Sequence, residues 1–406
     1  MKNWAKSKLN EVCKIGDGNH SSNYPKSSEM VSEGVPFIRA NNMVNGTVVW
    51  ADLKFITTQK HEMLKKGHLK TGDILFTNRG EIGKIAIVGS DFNNANLNSQ
   101  IAWFRCLERI DNRFLFYFLS SPSMQNHYSV EKNGAALQQF TIRQINEIEI
   151  PLPPLPEQQR IVAILNEAFV AIAKAKANAE QNLKNAKELF ESYLQGVFEN
   201  GNWETKKLNE ITEVKDGTHD SPKYIPEGIP FVTQKNIRQD GLSFADTKFI
   251  TDTDHEKFYK RSNVTCGDIL ISMIGANRGM AAIVDDKRIF SIKNVGLIKE
   301  SENINKQFLL YFLKSSLAIK YVLYMSNGGA QEFIGLTALR SFPIPYPPLK
   351  EQQNIVQKLD ALIIETNKLE TIYNQKINDL EELKKSVLQK AFAGQLSNNG
   401  KLKMEN

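Results

Sequence analysis

Residues 150–165 read IPLPPLPEQQRIVAIL, and residues 344–359 read IPYPPLKEQQNIVQKL. The phrase stands twice, with Ile150 and Ile344 lying 194 positions apart. Neither copy contains His or Cys, and a single carboxylate precedes each apolar run. The meaning of the phrase is therefore architectural. Proline fixes φ and disfavours helix in the residue before it, so PLPPLP is a stiff, extended approach. Pro156 fits the first turn of a helix, where its missing N–H costs little, and Glu157 suits the positive helix end. The phrase reads as a joint that launches a helix at a set angle from the preceding domain.

The repetition spreads outward from this joint. NWAKSKLNEVCKIGDGNH (3–20) returns as NWETKKLNEITEVKDGTH (202–219), and EGVPFIRANN (33–42) as EGIPFVTQKN (227–236). KFIT (54–57) returns at 248–251, TGDILFT (71–77) as CGDILIS (266–272), and FLFYFLSS (114–121) as FLLYFLKSS (308–316). A repeat of roughly 195 residues is a domain-sized unit, far longer than a solenoid period. Two copies in one polypeptide can pack with pseudo-two-fold symmetry.

Each copy has two parts. Residues 1–150 and 201–344 carry short β-branched or aromatic runs, such as VPFIRA, DILFT, KIAIVG and AAIVDD, separated by Gly, Asn and Asp. This pattern predicts twisted sheet with turns, plus helix near 112–128 and 304–325. After each joint the period changes. Apolar residues fall at Ile161, Leu165, Ala168, Ile172, Ala175, Ala179, Leu183, Ala186, Phe190, Tyr193 and Val197. In the second copy they fall at Ile355, Leu359, Leu362, Thr366, Leu369, Tyr373, Leu380, Leu383, Val387 and Ala391. Steps of three and four define a coiled-coil seam. A single-striped helix of about 40 residues spans ~60 Å and gains stability by pairing its stripe. Antiparallel pairing of the two helices would place the two globular domains at opposite ends, with the helices as spacer. The predicted fold is α+β, with two β-rich domains joined by two long antiparallel helices in a tandem repeat. The expected divisions are 1–150, 151–200, 201–344, 345–396 and a polar tail at 397–406.

Composition sets broad limits. At 406 residues the chain can form two or more cores, and 41% hydrophobic with 24% charged residues is ordinary for a globular protein. The amino terminus carries no apolar stretch suited to a signal peptide, and FLFYFL (114–119) is far too short to cross a bilayer. Cys13, Cys106 and Cys266 are scattered, which predicts neither a disulfide framework nor a zinc site. The chain reads as a reduced, cytoplasmic protein. Net charge +6 is compatible with nucleic acid without requiring it.

Two variable β-rich domains, each followed by PLPPLPEQQRIV or PPLKEQQNIVQKL and a long helix ending LQ-x-x-F, resemble the specificity subunit of type I restriction–modification enzymes. The resemblance spans nearly the whole chain, and VPFIRANN, GDILFT and LQKAFAGQL belong to it. It implies that each globular domain is a target-recognition domain reading one half of a split site in double-stranded DNA. It further implies that the helices hold the half-sites apart and dock two methyltransferase subunits, with motor–nuclease subunits adding restriction. One departure is the first helix ending, LQGVFENGN, which places Gly196 in the last turn.

No catalytic motif accompanies this resemblance. A self-sufficient adenine methyltransferase needs a Gly-rich cofactor loop and an Asn/Asp-Pro-Pro-aromatic motif; YPPL (346–349) lacks the acidic or amide residue. No P-loop occurs. DGNH and DGTH contain Asp-Gly turns, and one His per copy makes no metal site alone. No cofactor, metal or catalytic residue is expected. The rival readings are a single-chain DNA methyltransferase or endonuclease with an unrecognised motif, and a helical scaffold unrelated to DNA.

Comparing the two copies sorts candidate DNA contacts, because shared residues suit scaffold or phosphate roles and differing ones suit base reading. Shared candidates are His20 and His219, and Asn42 and Asn236. Gly72-Asp73 and Gly267-Asp268 read as turns entering strands. Arg79 and Lys84 lie beside Gly80 and Gly83, and Arg278 beside Gly275 and Gly279, in loops where backbone could approach phosphate. Among differing positions, Arg39 and Asn41 face Thr233, Gln234 and Lys235. Thr77 and Asn78 face Ser272 and Asn277, and Asn98 and Gln100 face Lys293 and Asn294. Arg and Lys match the guanine acceptor pair, and Asn and Gln the adenine donor–acceptor pair. NGAALQQ (133–139) and NGGAQEF (327–333) read as loops before the joint.

Overall fold

The joint folds as an extended segment that becomes helix. In the computed structural model, which describes residues 4–20, 22–130, 139–326 and 332–396, strand Glu149–Pro151 pairs antiparallel with Lys6–Lys8. Strand Pro343–Pro345 pairs with Thr205–Lys207 in the same way. Proline is tolerated there because each ribbon has only two strands and a free edge. The long helices then run Leu155–Asn200 and Leu349–Phe392. Pro156 lies in the first turn, and Glu157 pairs with Arg160 at 2.7 Å. Gly196 does not interrupt the first helix. The second ends just before Gly394, whose φ of +70° suits a helix C-terminus.

The chain divides into two compact units, residues 1–179 with 375–406, and residues 180–374. Each therefore holds one globular head, the start of the helix that follows that head, and the end of the other long helix.

In the first unit the main sheet has the strand order Cys13–Asp17, Ile101–Cys106, Ile74–Thr77, Ile85–Ile87, Thr47–Val48, Met43–Val44. A smaller sheet places Val35–Ile38 between Lys54–Ile56 and Asn96–Leu97. Helices Asn112–Leu119 and Pro122–Val130 cover the core, where Phe76, Phe104, Phe114 and Tyr128 are fully buried. That core continues into Ile161 and Leu165 of the first long helix, and into Val387, Leu388 and Ala391 of the second. Phe392 stacks edgewise against Phe114 and Phe118, with ring centres 5.2 and 5.5 Å away. Lys176 pairs with Glu381 at 2.5 Å. The two helix segments thus run antiparallel.

The second unit repeats the plan. Its main sheet is ordered Val214–Asp216, Val295–Ile298, Ile269–Ser272, Ala281–Ile283, and Ile229–Val232 lies between Lys248–Ile250 and Ser291–Ile292. Phe198 meets Phe308 and Phe312 with ring centres 5.4 and 5.2 Å away. The LQ-x-x-F endings are thereby explained. Leu194 and Phe198 belong to the core of the second head, and Leu388 and Phe392 to that of the first. Each helix ends in the core of the opposite copy's head.

The predicted seam holds with one shift. All ten chosen positions of the second helix are at least partly buried, and Ile377 joins them. In the first helix Tyr193 is 41% exposed while Leu194 and Phe198 are buried. Four-residue steps from Phe190 carry the stripe onto the opposing aromatic helix, as a straight 3.6-residue helix permits.

Candidate nucleic-acid interface

Four loops of the first head converge through backbone hydrogen bonds. Asn98 N–H donates to the Ile38 carbonyl at 2.9 Å, and Asn78 N–H to the Gln100 carbonyl at 3.0 Å. Gly18 packs so closely on the Asn98 carbonyl that a Cβ would lie 2.2 Å from its oxygen. The segments 17–20, 39–42, 77–84 and 98–100 therefore share one surface. In the second head, Lys293 N–H donates to Val232 and Asn294 N–H to Thr218, while Gly217 packs on the Ile292 carbonyl.

Within these loops the shared asparagines turn inward. Asn42 is fully buried; its Oδ1 accepts from Arg39 N–H at 3.0 Å, and its Nδ2 donates to the Ala51 carbonyl at 2.8 Å. Asn236 does the same with Thr233 N–H at 2.9 Å and the Ser243 carbonyl at 3.0 Å. These amides hold two tight turns of the same shape and leave none of their own polar atoms for a ligand. Asn42 and Asn236, which the sequence offers as contacts, are buried braces of these turns in this structure. Thr77, Asn78, Asn98 and Ser272 are buried as well. Thr77 is buried between the Glu81 carbonyl and Lys84 N–H, and Asn78 donates to the Phe140 carbonyl. The Asn98 amide is bound up with Gln100, and the Ser272 hydroxyl donates to the Ile274 carbonyl. A buried polar group is satisfied internally or costs free energy; all six make internal hydrogen bonds, and of their polar atoms the buried Asn78 Oδ1 is left without a partner.

Side chains that reach the surface are His20, Asn41 and Gln100 in the first head, and His219, Lys235 and Asn277 in the second. Arg39, Arg79, Lys84, Thr233, Gln234, Lys293 and Asn294 are half-buried. Several of these cations already have partners. Arg39 donates to the Asp52 carbonyl at 2.7 Å, Lys84 pairs with Glu81 at 2.8 Å, and Lys293 donates to Ser221. Arg278 is held by Ser326, the Gly275 carbonyl and Glu332. Gly80 and Gly275 both have positive φ and open space around them, so each loop keeps an unobstructed backbone. Residues 131–138 and 327–331, which include most of the two Gly/Ala-rich stretches, lie outside the described residues.

The DG-x-H loops are braced by charge. His20 bonds Asp17 at 2.9 Å and His219 bonds Asp216 at 3.1 Å. Lys66 pairs with Asp17 at 3.2 Å, and Arg261 grips Asp216 through both carboxylate oxygens. Lys66 and Arg261 escaped the sequence reading. Their signal was a basic pair, Lys65-Lys66 and Lys260-Arg261, shortly before each Gly-Asp turn. Gly72-Asp73 and Gly267-Asp268 are turns, as expected. Arg105 clasps Asp73 at 2.7–2.8 Å, and Lys299 bonds Asp268 at 2.6 Å. Among the described residues, no group of three or more His, Cys, Asp or Glu could hold a metal.

Behind the interface, each EQQ motif fastens its head to its helix. Gln158 is fully buried; its Oε1 accepts from Asp111 N–H at 2.8 Å, and its Nε2 donates to the carbonyls of Arg109 (3.0 Å) and Pro153 (2.8 Å). Gln352 repeats the arrangement with Asn305 N–H and the Pro347 carbonyl, each at 2.8 Å. A second pin lies about two turns on, where the Tyr117 hydroxyl donates to Asn166 at 2.5 Å and the Tyr311 hydroxyl to Asp360.

A protein with two such heads on paired helices belongs by fold to the DNA-specificity components of restriction–modification systems. The chain is a member of the type I restriction modification DNA specificity domain family, whose pattern matches residues 1–183 and 200–382. It is 25% identical to the type I restriction enzyme MjaVIII specificity subunit of Methanocaldococcus jannaschii, over 95% of this chain and 92% of that one. It is 23% identical to the EcoKI specificity subunit of Escherichia coli, over 89% and 82%. The fold matches the HsdS subunit of Thermoanaerobacter tengcongensis with a TM-score of 0.68 at 21% identity, covering 98% of both chains. A chain from a type I R-M system solved for its assembly and conformational transition matches with a TM-score of 0.75, covering 98% and 99%. No single helix among the described residues is long and apolar enough to cross a membrane.

Proposed function

We propose that this chain is the cytoplasmic DNA sequence-specificity subunit of a type I restriction–modification complex and has no catalysis of its own. Each head reads one half of a bipartite, asymmetric site in double-stranded DNA. The long helices hold the half-sites at a set separation and dock two methyltransferase subunits, and motor–nuclease subunits join for restriction. The observation that carries this reading is a matched pair of turns with unmatched tips. Asn42 and Asn236 hold equivalent loops, yet one loop offers Arg39-Ala40-Asn41 and the other Thr233-Gln234-Lys235. Equal scaffolds with different polar tips suit two readers of different sequences. The globular parts end near Ile150 and Ile344, and the target-recognition role is assigned to 1–150 and 201–344.

The purified chain is expected to transfer no methyl group alone and to direct methylation once a methyltransferase subunit is added. Methylation-site sequencing of a host with and without the chain should reveal a two-part motif that disappears with it. Methyl transfer by the chain alone, or an unchanged methylome, would overturn the proposal.

A further inference from the structure

Cys13 and Cys106 are remote in sequence, but the fold sets them directly opposite each other on the antiparallel strands Cys13–Asp17 and Ile101–Cys106. The neighbouring pair along the ladder, Val12 and Leu107, is hydrogen-bonded, with Leu107 N–H donating to the Val12 carbonyl at 2.9 Å. Opposed pairs alternate, so Cys13 and Cys106 occupy a non-hydrogen-bonded pair, where Cα atoms approach to about 4.5 Å. A disulfide spans Cα separations of ~4.4–6.8 Å. Both side chains face the core of the first unit. Cys13 is buried and Cys106 half-buried, and both are free thiols.

We infer that Cys13 and Cys106 form a dithiol modification site in the first head, which a low-molecular-weight disulfide such as glutathione disulfide converts to an intradomain disulfide. The more accessible Cys106 thiolate attacks glutathione disulfide, giving a mixed disulfide and one released glutathione. Cys13 then loses its proton to solvent, and its sulfur attacks Cys106 Sγ and expels the second glutathione. Two protein thiols become one disulfide, and glutathione disulfide is reduced to two glutathione molecules. The neighbouring Cys106 thiol, and then burial, push the Cys13 thiol pKa up, so the second step is the slow one and quickens as pH rises.

The site belongs to one head alone, since the equivalent positions of the second copy are Thr212 and Glu300. The strand starting at Cys13 is the sheet edge that leads into the Asp17–His20 loop. Closing the bridge ties the base of that loop to the adjacent strand. Exposed Cys266 has no thiol opposite it and serves as an internal control.

The test is to incubate the full, folded chain with glutathione disulfide at mildly alkaline pH, block free thiols, digest, and weigh the peptides. The expected product is a Cys13–Cys106 cross-linked peptide pair lighter by two hydrogens, with Cys266 carrying glutathione. In the Cys13→Ser variant, Cys106 should stop at the mixed disulfide. Two results would overturn the inference: both thiols of the native chain surviving while Cys266 reacts, or Cys106 in the unaltered chain stopping at the mixed disulfide.

Discussion

Replacing Gln158 with Leu should loosen the first head while sparing the second. The change keeps the side-chain volume roughly constant but deletes three hydrogen bonds. It strands Asp111 N–H and the carbonyls of Arg109 and Pro153 around a side chain that is itself fully buried. Each buried polar group left unpaired costs about 1–3 kcal/mol, so the sum is roughly 3–5 kcal/mol once some relaxation is allowed. Set against the ~5–15 kcal/mol that holds a typical domain folded, that is a large fraction. A fall of about 10 °C in the unfolding temperature of the first unit follows. Hydrogen exchange read by mass spectrometry separates the units. Peptides covering 74–77 and 101–106 should exchange much faster in the variant, whereas peptides covering 269–272 and 295–298 keep their protection. Gln352→Leu should give the mirror result. An unchanged exchange pattern, or equal loosening of both units, would show that the buried amide does not fasten its own head.

Exchanging residues 39–41 (RAN) for TQK should change recognition in one half of the DNA site and leave the other intact, as read by methylation-site sequencing; a change in both halves would refute independent readers. Asn42→Ala removes two loop-holding hydrogen bonds, should cost about 2 kcal/mol, and should weaken the same half-site, with Asn236→Ala affecting the other half in parallel DNA-binding assays. Inserting one helical turn into a long helix should alter the tolerated gap between half-sites, measured on DNA targets of graded spacing, and an unchanged gap would remove the spacer role. Burial lowers the pKa of His61, helped by nearby His68, and burial lowers that of His255. Each imidazole is held neutral in the fold, so its contribution is present above the ordinary histidine pKa of about 6.5 and is lost as pH falls below it. Denaturant titrations from pH 7 to pH 5 should show both units losing stability, and His61→Gln should flatten that dependence in the first unit only.

The tandem design was legible because it is written as repetition and period. The doubled joint, the seam running from Ile355 to Ala391, and the Gly-Asp turns are local features, and each follows from backbone restriction or side-chain spacing. The antiparallel order of the helix segments also followed, since two single stripes in one chain have few other partners. Tertiary structure decided what several of the candidate polar residues do. Asn42, Asn236, Thr77, Asn98 and Ser272 look available by residue type, and only the folded structure reveals that they are buried with their side chains hydrogen-bonded to groups around them. It also decided that Gln158 and Gln352 are buried clamps, because their partners at Arg109, Asp111 and Asn305 lie nearly fifty positions upstream. The pairing of Cys13 with Cys106 has the same origin. Sequence periodicity records which face a residue occupies within its own element, whereas contacts across elements depend on strand register, and register is set only when the sheets assemble.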